Sequence, residues 1–146
     1  MSSRFVLDTV GFINYFNEFF NEANRLSPKS REILNSCFDN LNYNKLIIPS
    51  VVFIEIYTKF LKTEEQLLKF YYTIFIILKD NQDVEIKPLE REVISIYNRI
   101  DRMNILEFHD KIIYASAVQL ECPLISNDSK IIDVERIENN LIKIMF

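Results

Sequence analysis

The chain is short of the residues from which several common sites are built. It holds a single glycine, Gly11, in 146 residues. A phosphate loop of the P-loop or dinucleotide-binding type takes two or three glycines in a short span, so both are excluded. There is one histidine, His109, and the two cysteines, Cys37 and Cys122, lie far apart. That excludes, within one chain, a zinc site built mostly from Cys and His. No G-x-S-x-G turn is present, which argues against a serine hydrolase of the elbow type. No Pro/Gly/Ser-rich linker, repeat or low-complexity tract divides the sequence, and residues 1–146 read as a single domain. The longest mostly apolar run, Tyr71 to Leu78, falls far short of the ~20 residues of a membrane helix. The start, Met1-Ser2-Ser3-Arg4-Phe5, lacks the apolar stretch of a secretion signal. A cytoplasmic protein with reduced cysteines and no membrane association is expected.

Apolar and acidic residues, by contrast, are plentiful. Hydrophobic residues make up 49%, enough for a core and too much for disorder. Acids outnumber bases by 21 to 17, which argues against a large basic face for nucleic acid. It leaves room for an enzyme that grips a few phosphates. A chain rich in carboxylates and poor in histidine points, if catalytic, to a hard metal ion on oxygen ligands.

Short apolar runs alternate with helical spacing. Phe5-Val6-Leu7, Leu46-Ile47-Ile48, Val84-Glu85-Ile86, Pro123 to Ser126 and Leu141 to Met145 read as strands. Helical spacing marks Gly11 to Glu22, Ile33 to Leu41 behind a Ser27-Pro28 start, and Val51, Ile54, Tyr57 and Leu61 behind a Ser50 cap. Thr63 with Gln66 fits a capping box leading into Tyr71 to Leu78, read as a largely buried helix. Leu89 to Met103 and His109 to Leu120 read as two more helices, and Asn127-Asp128-Ser129 as a turn. The alternation predicts an α/β fold, a three-layer α/β/α sandwich around a mostly parallel sheet. In such sheets ligands collect at the carboxyl ends of the strands, where Asp8 and Asp128 fall. Glu55, inside the apolar run Val51 to Ile56, needs a metal or a basic partner to be buried. Asp110 opens a helix of small residues, Ala115-Ser116-Ala117.

These residues carry a resemblance. Phe5-Val6-Leu7-Asp8-Thr9, Ile48-Pro49-Ser50-Val51-Val52-Phe53-Ile54-Glu55, His109-Asp110-Lys111-Ile112-Ile113-Tyr114-Ala115-Ser116-Ala117 and Pro123-Leu124-Ile125-Ser126-Asn127-Asp128 resemble, in order, the motifs of the PIN-domain family. Its best-known members are metal-dependent ribonucleases acting as VapBC-type toxins. The resemblance implies that Asp8, Glu55, Asp110 and Asp128 converge on one pocket that holds Mg²⁺ or Mn²⁺. Asp8 and Asp128 are then direct ligands. Glu55 and Asp110 are ligands or hold metal-bound water, with one of them a candidate general base. Thr9, Ser126 and Asn127 would support the site, the Thr9 hydroxyl by orienting a carboxylate or a water.

The implied activity is endoribonuclease cleavage of RNA, the implied partner an antitoxin protein, and the implied assembly a homodimer. Phe12, Phe16, Phe19 and Phe20 read as core, part of which would serve that interface. One departure is visible: Val10 stands where the family commonly has Asn or Ser. It motivates the alternative of an inactive PIN-fold binding or scaffold protein. An aspartate-based phosphoryl-transfer or receiver domain is disfavoured, since neither Val10 nor a neighbour of Asp8 supplies a second acid.

Each residue also has a plain reading. Asp8 and Asp128 can cap helices, and Asp110 can be a first-turn acid. Glu55 can pair with Lys59 four residues on, and His109 can be a packing or hydrogen-bonding neighbour. Ser126 and Asn127 can simply shape a turn. Phosphate grip is offered by Arg25, Lys29 and Arg31, or by Lys59 and Lys62.

Overall fold

The protein is described here by a computed structural model of residues 3–99, 106–137 and 144–145. The apolar runs form a parallel sheet because helices cover it, so its central strands need no polar face. The strands are β1 (Ser3–Leu7), β2 (Asn44–Pro49), β3 (Val84–Lys87), β4 (Leu124–Ile125) and β5 (Ile144–Met145), in the order β3-β2-β1-β4-β5. All described pairs are parallel, with Phe5 beside Leu46, Val6 beside Leu124, Leu46 beside Val84 and Leu124 beside Ile144. The strand order reverses at β1. From there the chain winds to β2 and β3 on one side and to β4 and β5 on the other.

The helices are α1 (Thr9–Tyr15), α2 (Asn17–Phe20), α3 (Pro28–Phe38), α4 (Ser50–Glu55), α5 (Glu64–Phe70), α6 (Ile76–Lys79), α7 (Arg91–Arg99), α8 (Phe108–Leu120) and α9 (Ser129–Ile137). Widened π turns continue α4 over Ile56–Phe60 and join α5 to α6 over Tyr71–Phe75. Packing of α3 and α4 on β2, of α6 on β3, and of α8 on β1 and α7 gives the expected α/β/α architecture. Ala115 and Ala117, both fully buried, let α8 approach closely. Phe12 is the centre of an aromatic core, with ring centroids 4.8 Å from Phe16, 5.7 Å from Phe53 and 6.2 Å from Phe70. The capping box holds: the Gln66 amide donates to Thr63 Oγ1 at 3.1 Å, and the Thr63 amide to Gln66 Oε1 at 3.3 Å. Ser27 caps α3 by accepting from the Ser30 amide at 3.1 Å.

Several local expectations fail. The run from Gly11 to Glu22 is two helices, broken at Phe16 and ended at Asn21 with a left-handed φ of 54°. α3 stops at Phe38, because Asn40 and Asn42 take positive φ, and it leaves Leu41 exposed. Ser50 is helical rather than the cap, which is Pro49. α4 buries Val52, Phe53 and Glu55 and leaves Ile54 exposed, a face rotated from the expected one. In the segment from Tyr71 to Leu78, only Ile74 and Leu78 are buried; Tyr72 and Ile77 are more than half exposed. Helix α9 has no counterpart in the sequence reading. Of the expected helix from Leu89 to Met103, Leu89 precedes α7, and Ile100 and Met103 lie outside the described residues. So do residues 141–143 of the expected last strand.

Candidate metal centre

Asp8 is the first residue after β1 and the N-cap of α1, where its carboxylate accepts from the Gly11 amide at 2.7 Å. A Cβ on Gly11 would lie 2.7 Å from Leu7 Cδ1, 3.0 Å from Asp8 Oδ1 and 3.3 Å from the Ile125 carbonyl oxygen. The lone glycine is therefore a packing requirement of the Asp8 site. The other carboxylate oxygen of Asp8 accepts from the Ser126 hydroxyl. Ser126 in turn accepts from the Asp128 amide at 3.1 Å, and its own amide donates to the Met145 carbonyl at 2.7 Å. One buried hydroxyl thus ties the ends of β1 and β4 together. Asp128 opens α9, its carboxylate accepting from the Lys130 amide at 2.9 Å. Asn127 is half-buried in the same turn.

Glu55 closes α4 and is 8% exposed. Its Oε2 meets Lys59 Nζ at 3.3 Å and is in contact with His109 Nε2. Lys59 reaches on to Glu107 at 2.9 Å. His109 Nε2 lies 3.2 Å from Glu107 Oε2 and 3.8 Å from Asp110 Oδ1. The sequence reading left His109 as a neighbour of Asp110; the fold turns its ring onto Glu55 as well. Donor atoms of Glu55, His109 and Asp110 lie within 4.8 Å of one another.

The electrostatics link these groups. Burial raises the Asp8 pKa from 3.8 to about 7, against the lowering effect of the Ser126 and Gly11 hydrogen bonds; the charges of Asp128 and Glu55 add to the rise. Asp110 is also raised to about 7, first by burial and then by Asp128, Glu55, Asp8 and Glu107. Burial lowers the pKa of His109, Glu55 opposes that shift, and Lys59 reinforces it. Asp8, Glu55, Asp110 and Asp128, carried by four separate elements, are close enough to repel one another. Such an oxygen-rich set, carrying more negative charge than Lys59 offsets, fits a divalent cation. The hydroxyl of Thr9 is buried without a partner among the described residues. It makes no hydrogen bond to a carboxylate among the described residues, which leaves a water as the partner the sequence offered it. Val10 is half-exposed, so its departure from the family pattern leaves no gap in the buried shell of Asp8.

Of the basic residues offered for phosphate grip, Lys59 alone among the described residues makes an ion pair with one of the four acids. Arg31 binds Asn17 at 3.2 Å and covers Tyr15 instead. The sequence reading missed Glu107, which lies outside every motif and reaches the site only because it precedes α8.

Comparison with known proteins agrees with the fold. The family model described as PIN domain matches residues 5–137. No curated protein sequence gives a significant match. The fold is similar to VapBC2 from Rickettsia felis bound to a DNA fragment from its promoter, with TM-score 0.66, 16% identity, and coverage of 97% of this chain and 96% of that one. It is also similar to FitAcB from Neisseria gonorrhoeae, with TM-score 0.58, 16% identity, and coverage of 97% and 96%. A structure of FitAB bound to an IR36 DNA fragment follows, with TM-score 0.57, 16% identity, and coverage of 97% and 93%.

Proposed function

The chain belongs to the PIN-domain family, and from that premise we propose that it is a Mg²⁺- or Mn²⁺-dependent endoribonuclease, the toxin of a toxin–antitoxin pair. The observation that carries this reading is the gathering of Asp8, Glu55, Asp110 and Asp128 at the carboxyl end of the sheet, beside the strand-order reversal. Asp8, Asp110 and Asp128, with Glu55, would hold the ion. When bound, it would polarise a phosphoryl oxygen and lower the pKa of a coordinated water. Gly11 and Ser126 fix the Asp8 carboxylate in place, so it costs little to order on binding. Asp110, at the start of α8 beside Glu55 and His109, is the carboxylate assigned to accept the water's proton. In hydrolysis the attacking water oxygen bonds to phosphorus, its proton passes to the carboxylate, and the bond from phosphorus to a sugar oxygen breaks, that oxygen leaving as a hydroxyl with a proton from solvent. Lys59, half-exposed and paired with Glu55 and Glu107, is the candidate to exchange one of these partners for a backbone phosphate.

The VapBC2 and FitAB neighbours are complexes on DNA, which supports a partner of antitoxin type for this chain. Homodimerisation and a cytoplasmic location belong to the same reading. The test is cleavage of single-stranded RNA with Mg²⁺ or Mn²⁺. Asp8→Asn is expected to lower the rate by ~100-fold or more, and EDTA to abolish it. Cleavage that survives both would refute the proposal.

A further inference from the structure

The site holds one nitrogen among its oxygens. His109 Nε2 is in contact with Glu55 Oε2, 3.2 Å from Glu107 Oε2 and 3.8 Å from Asp110 Oδ1. These oxygens come from two directions, Glu55 from α4 and the others from the start of α8. The ring is not a surface group: its side chain is 6% exposed. The Phe108 ring meets it edge to face at 5.3 Å. Ligands about 2.1 Å from an octahedral ion lie about 3 Å apart when adjacent and about 4.2 Å apart when opposite. One donor atom from each of Glu55, His109 and Asp110 lies within 4.8 Å of the others, a span that a single ion can bridge once the direct His109–Glu55 contact opens to admit it.

We infer that His109 Nε2 is a metal ligand alongside Glu55 and Asp110, and that it makes the site select a transition ion, Mn²⁺ before Mg²⁺. The inference rests on the metal-centre reading above and narrows it. Carboxylate and water suit Mg²⁺ and Mn²⁺ alike, but Mg²⁺ is a hard ion that keeps oxygen ligands and water, whereas a first-row transition ion such as Mn²⁺ accepts an imidazole nitrogen more readily. An imidazole that instead only donated a hydrogen bond to Glu55 would steady the carboxylate for any ion and would not discriminate. The two roles therefore differ in a measurable ratio.

The chain's single histidine makes the experiment clean. The full-length protein is prepared with ¹⁵N-histidine, loaded with Mn²⁺ and read by electron spin-echo spectroscopy. A nitrogen coupling that changes with the isotope is expected, and it can come only from His109. In parallel, Mn²⁺ and Mg²⁺ are titrated by calorimetry into wild type, His109→Gln and Asp8→Asn. His109→Gln is expected to lose ~10-fold or more in Mn²⁺ affinity and less than about 2-fold for Mg²⁺. Mn²⁺ binding that is weakened by Asp8→Asn yet shows no histidine coupling, with His109→Gln lowering both ions alike, overturns this inference and leaves the metal centre standing. Binding indifferent to Asp8→Asn, or no binding, overturns both. If His109→Gln does not fold, the spectrum of the wild-type protein decides.

Discussion

Two buried aspartates mark the two ends of the sheet, and their surroundings are opposite. Asp83, just before β3 at the amino end, is covered but shallow. It pairs with Lys45 at 2.5 Å and accepts from the Asn42 amide at 2.7 Å. That partnership holds its carboxyl below the usual range, Lys45 contributing most. Asp8, at the carboxyl end, lies deep, has no basic partner in direct contact among the described residues, and is pushed up to about 7 by burial. The first arrangement is complete in itself and serves the fold. The second is left short of positive charge, which a fold alone gains nothing by keeping. A carboxylate with neutral hydrogen-bond donors and no counter-charge distinguishes a binding end from a structural end.

The strongest way to break the contrast is to remove each charge in turn. Asp8→Asn is expected to raise metal-free stability at pH 8 by about 1–3 kcal/mol while abolishing Mn²⁺ binding. Asp83→Asn, which loses its partly exposed Lys45 pair, is expected to lower stability by about 1 kcal/mol and leave metal binding intact. Chemical denaturation in EDTA checks both, and like signs would show that the two ends do not differ as described. Next in size, Gly11→Ala forces its methyl against Leu7, Asp8 and the Ile125 carbonyl. A loss of about 1–3 kcal/mol is expected, with weaker Mn²⁺ binding.

The smallest effect is in pH. The Asp8 and Asp110 pKa values are raised above their unfolded value of 3.8, so these groups favour the folded state when protonated. Their contribution is fully present below about pH 4 and is lost as pH rises through about 7. Asp83 is lowered, so its contribution is present above about pH 4 and lost as pH falls below it. The shift in Tm on adding Mn²⁺ should therefore be larger at pH 8 than at pH 6, since protons compete for the same oxygens. An equal shift at both pH values would count against carboxylate ligation.

The sequence was legible where one rule acted alone. Strand positions followed from apolar runs, the Thr63–Gln66 box from its spacing, and Asp8 and Asp128 from the strand-end rule. It was misleading where tertiary packing overrode a local pattern. Packing on the sheet turns Val52 and Phe53 of α4 inward in place of Ile54, and the widened turn over Tyr71–Phe75 breaks the 3.6-residue period on which the burial of Tyr72 and Ile77 was expected. The plain readings hold for two of the acids without removing them from the cluster. Asp8 does cap α1, and Glu55 does pair with Lys59, yet both still face the other acids. His109 and Glu107 were opaque because their importance comes from side chains far off in the sequence, Glu55 for His109 and Lys59 for Glu107.

The amide of Ser126, the residue that holds Asp8, donates to the carbonyl of Met145 on β5. Ribosomes make the chain from the other end, and β1 with Asp8 emerges first. The hydroxyl that fixes Asp8 has its own anchor only after residues 144–145 have been synthesised and have docked beside β4. A nascent chain still short of that strand would carry the acids without the finished geometry. The order of synthesis therefore sets an order of assembly, in which Asp8 is made first and the strand that anchors its clamp is the last of the described strands.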